Sequence, residues 1–321
     1  MQRGFAALYA GLALLVLTAA SVAAESYPTK PVRLVVGFAA GGPTDIPARF
    51  IADRLGDMLG QRVVVENKAG AAGMIAARDV LAQPADGHTL LLCTHFESIN
   101  LAVYKDPGFK LADIAPISLI SKYYYAIALS PAVPASKLDD FLKFAKEHPG
   151  QLNYGTLGPG SAQDILARQL EGLTGIQMTG VPFRSGAQVM PELLSGRVQV
   201  YMSPTLAVMP YYANKQLKLL AVSSRERLKE VPDIPTLREE GVDFVRFGWL
   251  GICAKAGTPQ SVIALLNKDI AKIVDLPDYR KLIESGGSIP ESSTPSELQQ
   301  VLQQTVEDIS DTVRRYGLQR Q

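Results

Sequence analysis

Apolar residues recur along this chain in two alternating rhythms. Continuous apolar runs such as Leu34-Val35-Val36, Val63-Val64-Val65 and Leu90-Leu91-Leu92-Cys93 read as strands, the second of them buried. Between them, Ala48, Ile51, Ala52, Leu55 and Leu59 share one face of a helix over 45–59, which Gly60 ends. The same plan continues downstream. Strands are predicted over 125–129, 198–202, 219–222 and 249–254, with helices starting near Ser136, after Ser161 and running through Leu194. Ser136 with Asp139, and Ser161 with Asp164, have the spacing of capping boxes. Beyond residue 254 the chain is helical. Thr258-Pro259 is expected to cap one helix, and Thr294-Pro295-Ser296-Glu297 combines a cap, a first-turn proline and a capping box for another. Strands alternating with helices predict an α/β fold with mostly parallel sheet. A terminal run of helices must pack on something already built, so the chain is expected to leave a first domain near 127, build a second, and return near 251.

Two of the predicted strands run into glycine-rich turns that open directly onto helices. The first is Gly37-Phe38-Ala39-Ala40-Gly41-Gly42-Pro43-Thr44-Asp45, and the second is Gly155-Thr156-Leu157-Gly158-Pro159-Gly160-Ser161. A helix N-terminus leaves backbone N–H groups unpaired and carries partial positive charge, which attracts anions. Glycines allow a ligand close to that backbone. Two such turns far apart in sequence suggest one anion held from two sides, by binding rather than by reaction.

Composition narrows the classes. Arg3 is the only charge before Glu25, an apolar run Leu12-Ala13-Leu14-Leu15-Val16-Leu17 follows it, and Val22-Ala23-Ala24 offers a cleavage site. Residues 1–24 are therefore expected to be a signal peptide. The chain of 321 residues has 32 basic and 31 acidic side chains, so losing Arg3 leaves the signs balanced. A neutral balance without basic runs argues against nucleic acid. Cys93 and Cys253 are the only cysteines; an oxidising compartment permits a bridge, but both are flanked by apolar residues and could equally be buried hydrophobes. Enzyme fingerprints fail. Gly158-Pro159-Gly160-Ser161-Ala162-Gln163 has Gln163 where a dinucleotide motif needs glycine or alanine, and no phosphate loop or nucleophile elbow occurs. His88, His95 and His148 show no metal-ligand spacing. No catalytic residue, metal or cofactor is expected.

Several segments resemble one family. They are Tyr27-Pro28-Thr29-Lys30-Pro31-Val32-Arg33, Gly41-Gly42-Pro43-Thr44-Asp45, Val64-Val65-Glu66-Asn67-Lys68-Ala69-Gly70-Ala71-Ala72-Gly73 and Pro84-Ala85-Asp86-Gly87-His88-Thr89-Leu90. Leu152-Asn153-Tyr154-Gly155, Val181-Pro182-Phe183-Arg184-Ser185-Gly186-Ala187, Val231-Pro232-Asp233-Ile234-Pro235-Thr236 and Ala256-Gly257-Thr258-Pro259 continue the series in order. Together they resemble the Bug-type (TctC-type) substrate-binding proteins of tripartite tricarboxylate transporters. The resemblance implies a periplasmic type II binding protein with two lobes, each a mostly parallel sheet flanked by helices, and a ligand cleft between them; a monomer suits such a closing receptor. One lobe would comprise 25–126 and 252–321, the other 127–251. It implies a small organic acid as ligand and membrane permease subunits as partners. A chemosensory receptor without a permease, or an exported enzyme, are the alternatives.

Carried onto this sequence, the family's ligand turn corresponds to Phe38, Ala40, Gly41, Gly42 and Thr44, with Asp45 opening the helix. The opposite lobe contributes Thr156, Gly158, Gly160 and Ser161. Three places depart from the family pattern. Phe96 and Glu97 are bulky and acidic in the 94–98 loop, where Glu97 would either accept a hydrogen bond from the ligand or point to water. Ser203 stands where members often carry an acid. Phe183 and Arg184 replace tyrosine and lysine, and Arg184 would either pair with a distal carboxylate or lie exposed.

Overall fold

A computed structural model describes residues 27–315 apart from Pro159. The expected signal segment lies outside the described residues. Ten strands and ten α-helices follow one another among them. The first stretch contains β1 (Val32–Val36), α1 (Asp45–Leu59), β2 (Val63–Asn67), α2 (Met74–Leu81), β3 (Thr89–Thr94) and α3 (His95–Val103). The long strand β4 (Ile114–Leu129) leads to α4 (Leu138–Glu147), β5 (Leu152–Thr156), α5 (Ala162–Thr174), β6 (Met178–Pro182) and α6 (Gly186–Ser195). Then come β7 (Val200–Pro204), α7 (Thr205–Ala213) and β8 (Lys218–Val222). The chain closes with β9 (Phe247–Lys255), α8 (Gln260–Val274), α9 (Pro277–Glu284), β10 (Ser288–Pro290) and α10 (Pro295–Arg315).

The strands form two sheets that share β4. In the first, β1 pairs in parallel with β2 and β3, while β9 runs antiparallel between β3 and β4. In the second, β5 pairs in parallel with β6 and β7, and β4 runs antiparallel to β7 and β8. The fold is therefore α/β with parallel outer strands and an antiparallel seam. Strand β4 passes from one sheet to the other between Tyr124, opposite Phe247, and Tyr125, opposite Pro204. Its 16 residues far exceed the usual strand of about five or six because two sheets use it in succession.

Helices cover both faces of each sheet. Leu55, Leu266, Ile270 and Tyr279 from α1, α8 and α9 pack on one face of the first sheet. Ala76, Ala77 and Val80 of α2, with Leu298 and Leu302 of α10, pack on the other. In the second sheet, α5 shares a core with Phe96, Ile99 and Val103 of α3 and with Ile309 and Val313 near the end of α10. Thus α3 and α10 touch both sheets. Gln169 of α5 donates to Thr312 Oγ1 of α10 at 2.6 Å.

Local signals survive unevenly. Gly60 ends α1 in the left-handed conformation at φ 66°, and Thr294 and Glu297 exchange capping-box hydrogen bonds. Strand β2 corrects an expectation: it is an edge strand with Val64 43% exposed, because only β1 pairs with it. Helix α4 starts one residue later than expected, with Lys137 as N-cap and no side-chain cap. Pro259, not Thr258, caps α8; the Thr258 hydroxyl instead donates to Lys255 O at 2.7 Å. Only half of the Ser161–Asp164 box forms, since the Asp164 carboxylate is engaged elsewhere. The open question about the cysteines is answered: Cys93 on β3 and Cys253 on β9 form a disulfide in the core.

Candidate functional site

The first glycine turn is held together by a buried carboxylate. Asp45, 1% exposed, accepts from the Gly41 amide and from Arg49 Nε at 2.8 Å each through Oδ2. Its Oδ1 accepts from Asn67 Nδ2 at 2.8 Å, and the same amide nitrogen donates to Phe38 O at 3.0 Å. Burial alone would raise the Asp45 pKa, but the hydrogen bonds from Arg49, Gly41 and Asn67 outweigh it and hold the group below its ordinary value. Gly41 sits at φ 74°, a conformation that favours glycine.

The second turn repeats this wiring. Asp164 accepts from the Gly160 amide at 2.9 Å through Oδ2, and from Tyr154 Oη at 2.6 Å and Arg168 Nε at 3.2 Å through Oδ1. Thr156 Oγ1 and Ser161 Oγ lie 2.7 Å apart and bind the turn's backbone: Leu157 N–H donates to Ser161 and Gly158 N–H to Thr156. Each turn thus has a glycine amide donating to an aspartate four residues on, which pairs with an arginine four further. The sequence carries the repeat openly, as Asp45-Ile46-Pro47-Ala48-Arg49 and Asp164-Ile165-Leu166-Ala167-Arg168. Reading the glycines alone missed it, and with it Arg49, Asn67, Asp164 and Arg168.

This wiring corrects the role expected for several amides. Those of Gly41 and Gly160 are committed to carboxylates, Gly42 N–H donates to Ala39 O at 3.4 Å, and Gly158 N–H to Thr156. Ala40 donates to no described residue. The residue just before each repeated aspartate carries a buried side-chain oxygen without a hydrogen-bond partner among the described residues: Thr44 Oγ1 and Gln163 Oε1. Such groups cost free energy unless something completes them.

Helix α3 connects the two turns. Phe96 packs against Phe38 of the first turn with ring centroids 5.4 Å apart. At the other end, a Cβ on Gly160 would lie 2.4 Å from Val103 Cγ1, so the second turn rests on α3 where only glycine fits. Glu97 points neither to water nor along the turn. It is 1% exposed, and its Oε2 accepts from Thr94 N at 2.6 Å and Thr94 Oγ1 at 3.0 Å in a capping box. Burial pushes its pKa up to about 7 against these hydrogen bonds. Its neighbour His95 lies between Tyr123 Oη, 3.2 Å from Nδ1, and Tyr125 Oη, 3.0 Å from Nε2. Burial lowers its pKa to about 3, so the ring is neutral. Tyr123 and Tyr125 flank the point where β4 changes sheet, an arrangement the sequence did not signal.

Of the remaining two expected residues, Ser203 is linked to the second turn through Tyr201, which meets the side chains of both Ser203 and Gln163. Ser203 is buried in β7, its hydroxyl donating to Pro204 O at 3.1 Å. Arg184 is exposed between β6 and α6; its amide donates to Gln188 Oε1 at 3.0 Å, and its guanidinium pairs with no described residue. No group of three His, Cys, Asp or Glu side chains among the described residues is placed to hold a metal ion.

Known proteins share this plan. The family profile for the tripartite tricarboxylate transporter family receptor, TctC, matches residues 47–318. The structure of periplasmic binding protein BugD superposes with a TM-score of 0.84 at 29% identity, covering 92% of this chain and all (100%) of that one. A protein of R. palustris, Rpa4515, solved with adipate, gives 0.85 at 28% identity over 91% of this chain and 99% of its own. MatC (Rpa3494) from Rhodopseudomonas palustris, solved with bound malate, gives 0.82 at 29% identity over 89% and 100%.

Proposed function

Because the chain belongs to the TctC family of tripartite tricarboxylate transporter receptors, we propose that it is a periplasmic receptor which captures a small carboxylate between its two glycine turns. The observation that carries this reading is the repeated wiring. Two helices, α1 and α5, present their N-termini at turns braced by Asp45 and Asp164 and joined through α3. The bracing fixes the turns before ligand arrives, which lowers the ordering cost of binding. The helix ends favour negative charge. Ala40 N–H, Thr44 Oγ1 and Gln163 Oε1 are the groups a ligand or its solvent shell would complete. Gln163 Oε1 is an acceptor and suits a hydroxyl, amine or water rather than a bare carboxylate.

The relatives with adipate and malate support a carboxylate as the ligand class. In this reading residues 1–24 direct export and are removed. The first sheet with its helices forms one lobe and the second sheet the other, close to the division expected at 127 and 251, with β4 carrying the outward crossing and the segment entering β9 the return. Ligand biases lobe closure only through its higher affinity for the closed arrangement. The loaded monomer then delivers its cargo to the permease subunits of a tripartite transporter, without chemical conversion.

Thermal unfolding of residues 25–321 against adipate, malate, other small organic acids and the matching amides tests the proposal. A carboxylate at a thousand times its dissociation constant adds about 4 kcal/mol. For a chain of this size that raises Tm by several degrees. The amides are expected to leave Tm unchanged. A panel in which no acid acts, or in which amides act equally, would overturn the carboxylate reading.

A further inference from the structure

A second hollow, basic in its smaller part, lies where β4 passes from one sheet to the other. Two confluent cavities, of about 580 and 460 Å3, share Lys122, Val245, Arg246, Phe247 and Asp308. Their walls come from β4, the segment entering β9, α5 and α10, with Arg225 and Arg238 on the outer rim. No residue of either glycine turn lines them.

The smaller cavity sets Lys122, Arg225, Arg238 and Arg246 against Asp243 and Asp308, whereas Glu291 and Glu297 line only the larger one. Lys122 donates to Glu291 at 2.6 Å, and Arg238 lies 3.4 Å from Asp243. Arg246 meets no carboxylate: its Nε donates to Gln169 Oε1 at 3.3 Å and one terminal nitrogen to Val245 O at 2.8 Å. Arg225 makes no hydrogen bond or ion pair with any described residue. Asp308 is the remaining acid of the smaller cavity, and its Oδ1 accepts from Gln304. Arg246 is half-buried. A partly desolvated guanidinium without a counter-charge is costly, and its planar donors match an oxyanion.

We propose that the smaller cavity is a second anion site, which takes a multivalent oxyanion between Arg225 and Arg246 with Lys122 at its edge. Carboxylates and phosphates share the required chemistry, and the test separates them. Calorimetric titrations of tricarballylate and of pyrophosphate into residues 25–321 at low salt are compared with Arg225→Ala and Arg246→Gln. At least one anion is expected to bind, with affinity reduced about tenfold or more in each variant and weakened in about 0.5 M salt. Which anion binds identifies the class. Arg225 is exposed, so its replacement leaves the fold intact if Arg246→Gln does not. Binding of neither anion would overturn the site. So would binding undiminished by Arg225→Ala, which would place the anion elsewhere, as in the cleft.

Discussion

His95 and Glu97, two residues apart at the start of α3, pull stability in opposite directions as pH changes. The pKa of His95 falls from 6.5 to about 3 on folding, so the unfolded chain binds more protons between those values and acidification removes stability. The pKa of Glu97 rises from 4.5 to about 7, so the folded chain binds more protons there and raising the pH removes stability. Between pH 4.5 and 6.5 the two slopes, about 1.4 kcal/mol per pH unit each, oppose one another. Glu97→Gln keeps the capping geometry and deletes one slope. Its Tm is expected to fall more steeply than that of the parent on acidification from pH 6.5 to 4.5, and parallel profiles would contradict this. Thr44→Val is the matching test of the unpartnered oxygen. It should leave Tm unchanged or higher while weakening the ligand three- to tenfold, the worth of about one hydrogen bond. Equal affinity by calorimetry would remove Thr44 from the site. At this scale the sequence was partly legible. Thr94-x-x-Glu97 is a capping-box spacing, yet Glu97 drew attention only as a charge near a ligand, because its burial depends on segments distant in the chain, such as the close approach of Gly73.

Elements that sequence reasoning placed well are those defined by neighbours in the chain. The Gly60 terminus of α1 and the Thr294–Glu297 cap of α10 follow from residues within one helical turn. Elements defined by distant partners were harder to read. Three consecutive valines in β2 look buried until the sheet order puts them at an edge. The length of β4 is invisible until two sheets claim its two halves. Cys93 and Cys253 stand 160 residues apart, and only the antiparallel pairing of β3 with β9 brings them together. That bridge ties the first sheet's parallel half to the returning strand. Replacing both cysteines by serine is expected to lower unfolding stability by about 2–4 kcal/mol, read as a lower denaturant midpoint. An unchanged midpoint would mean that the pairing of β3 and β9 alone suffices.

Across the whole molecule, two sheets share one strand, and each sends a braced turn toward α3. The paired turns were legible as glycine patterns, and the family resemblance ran in order through segments from Tyr27 to Pro259. What sequence reasoning did not yield was which amides the turns keep for themselves, because Asp45 and Asp164 read as helix-start acids rather than as the braces of their turns. The braces give the most direct test of the central claim, that both turns hold one anion. A single calorimetric titration series would use the carboxylate that most raises Tm, added to the parent, to Asp45→Asn and to Asp164→Asn. Each variant loses an anionic acceptor for a glycine amide and an arginine, so both are expected to bind at least tenfold more weakly. Unchanged affinity in either one, with the fold intact, would contradict a ligand shared between the two turns.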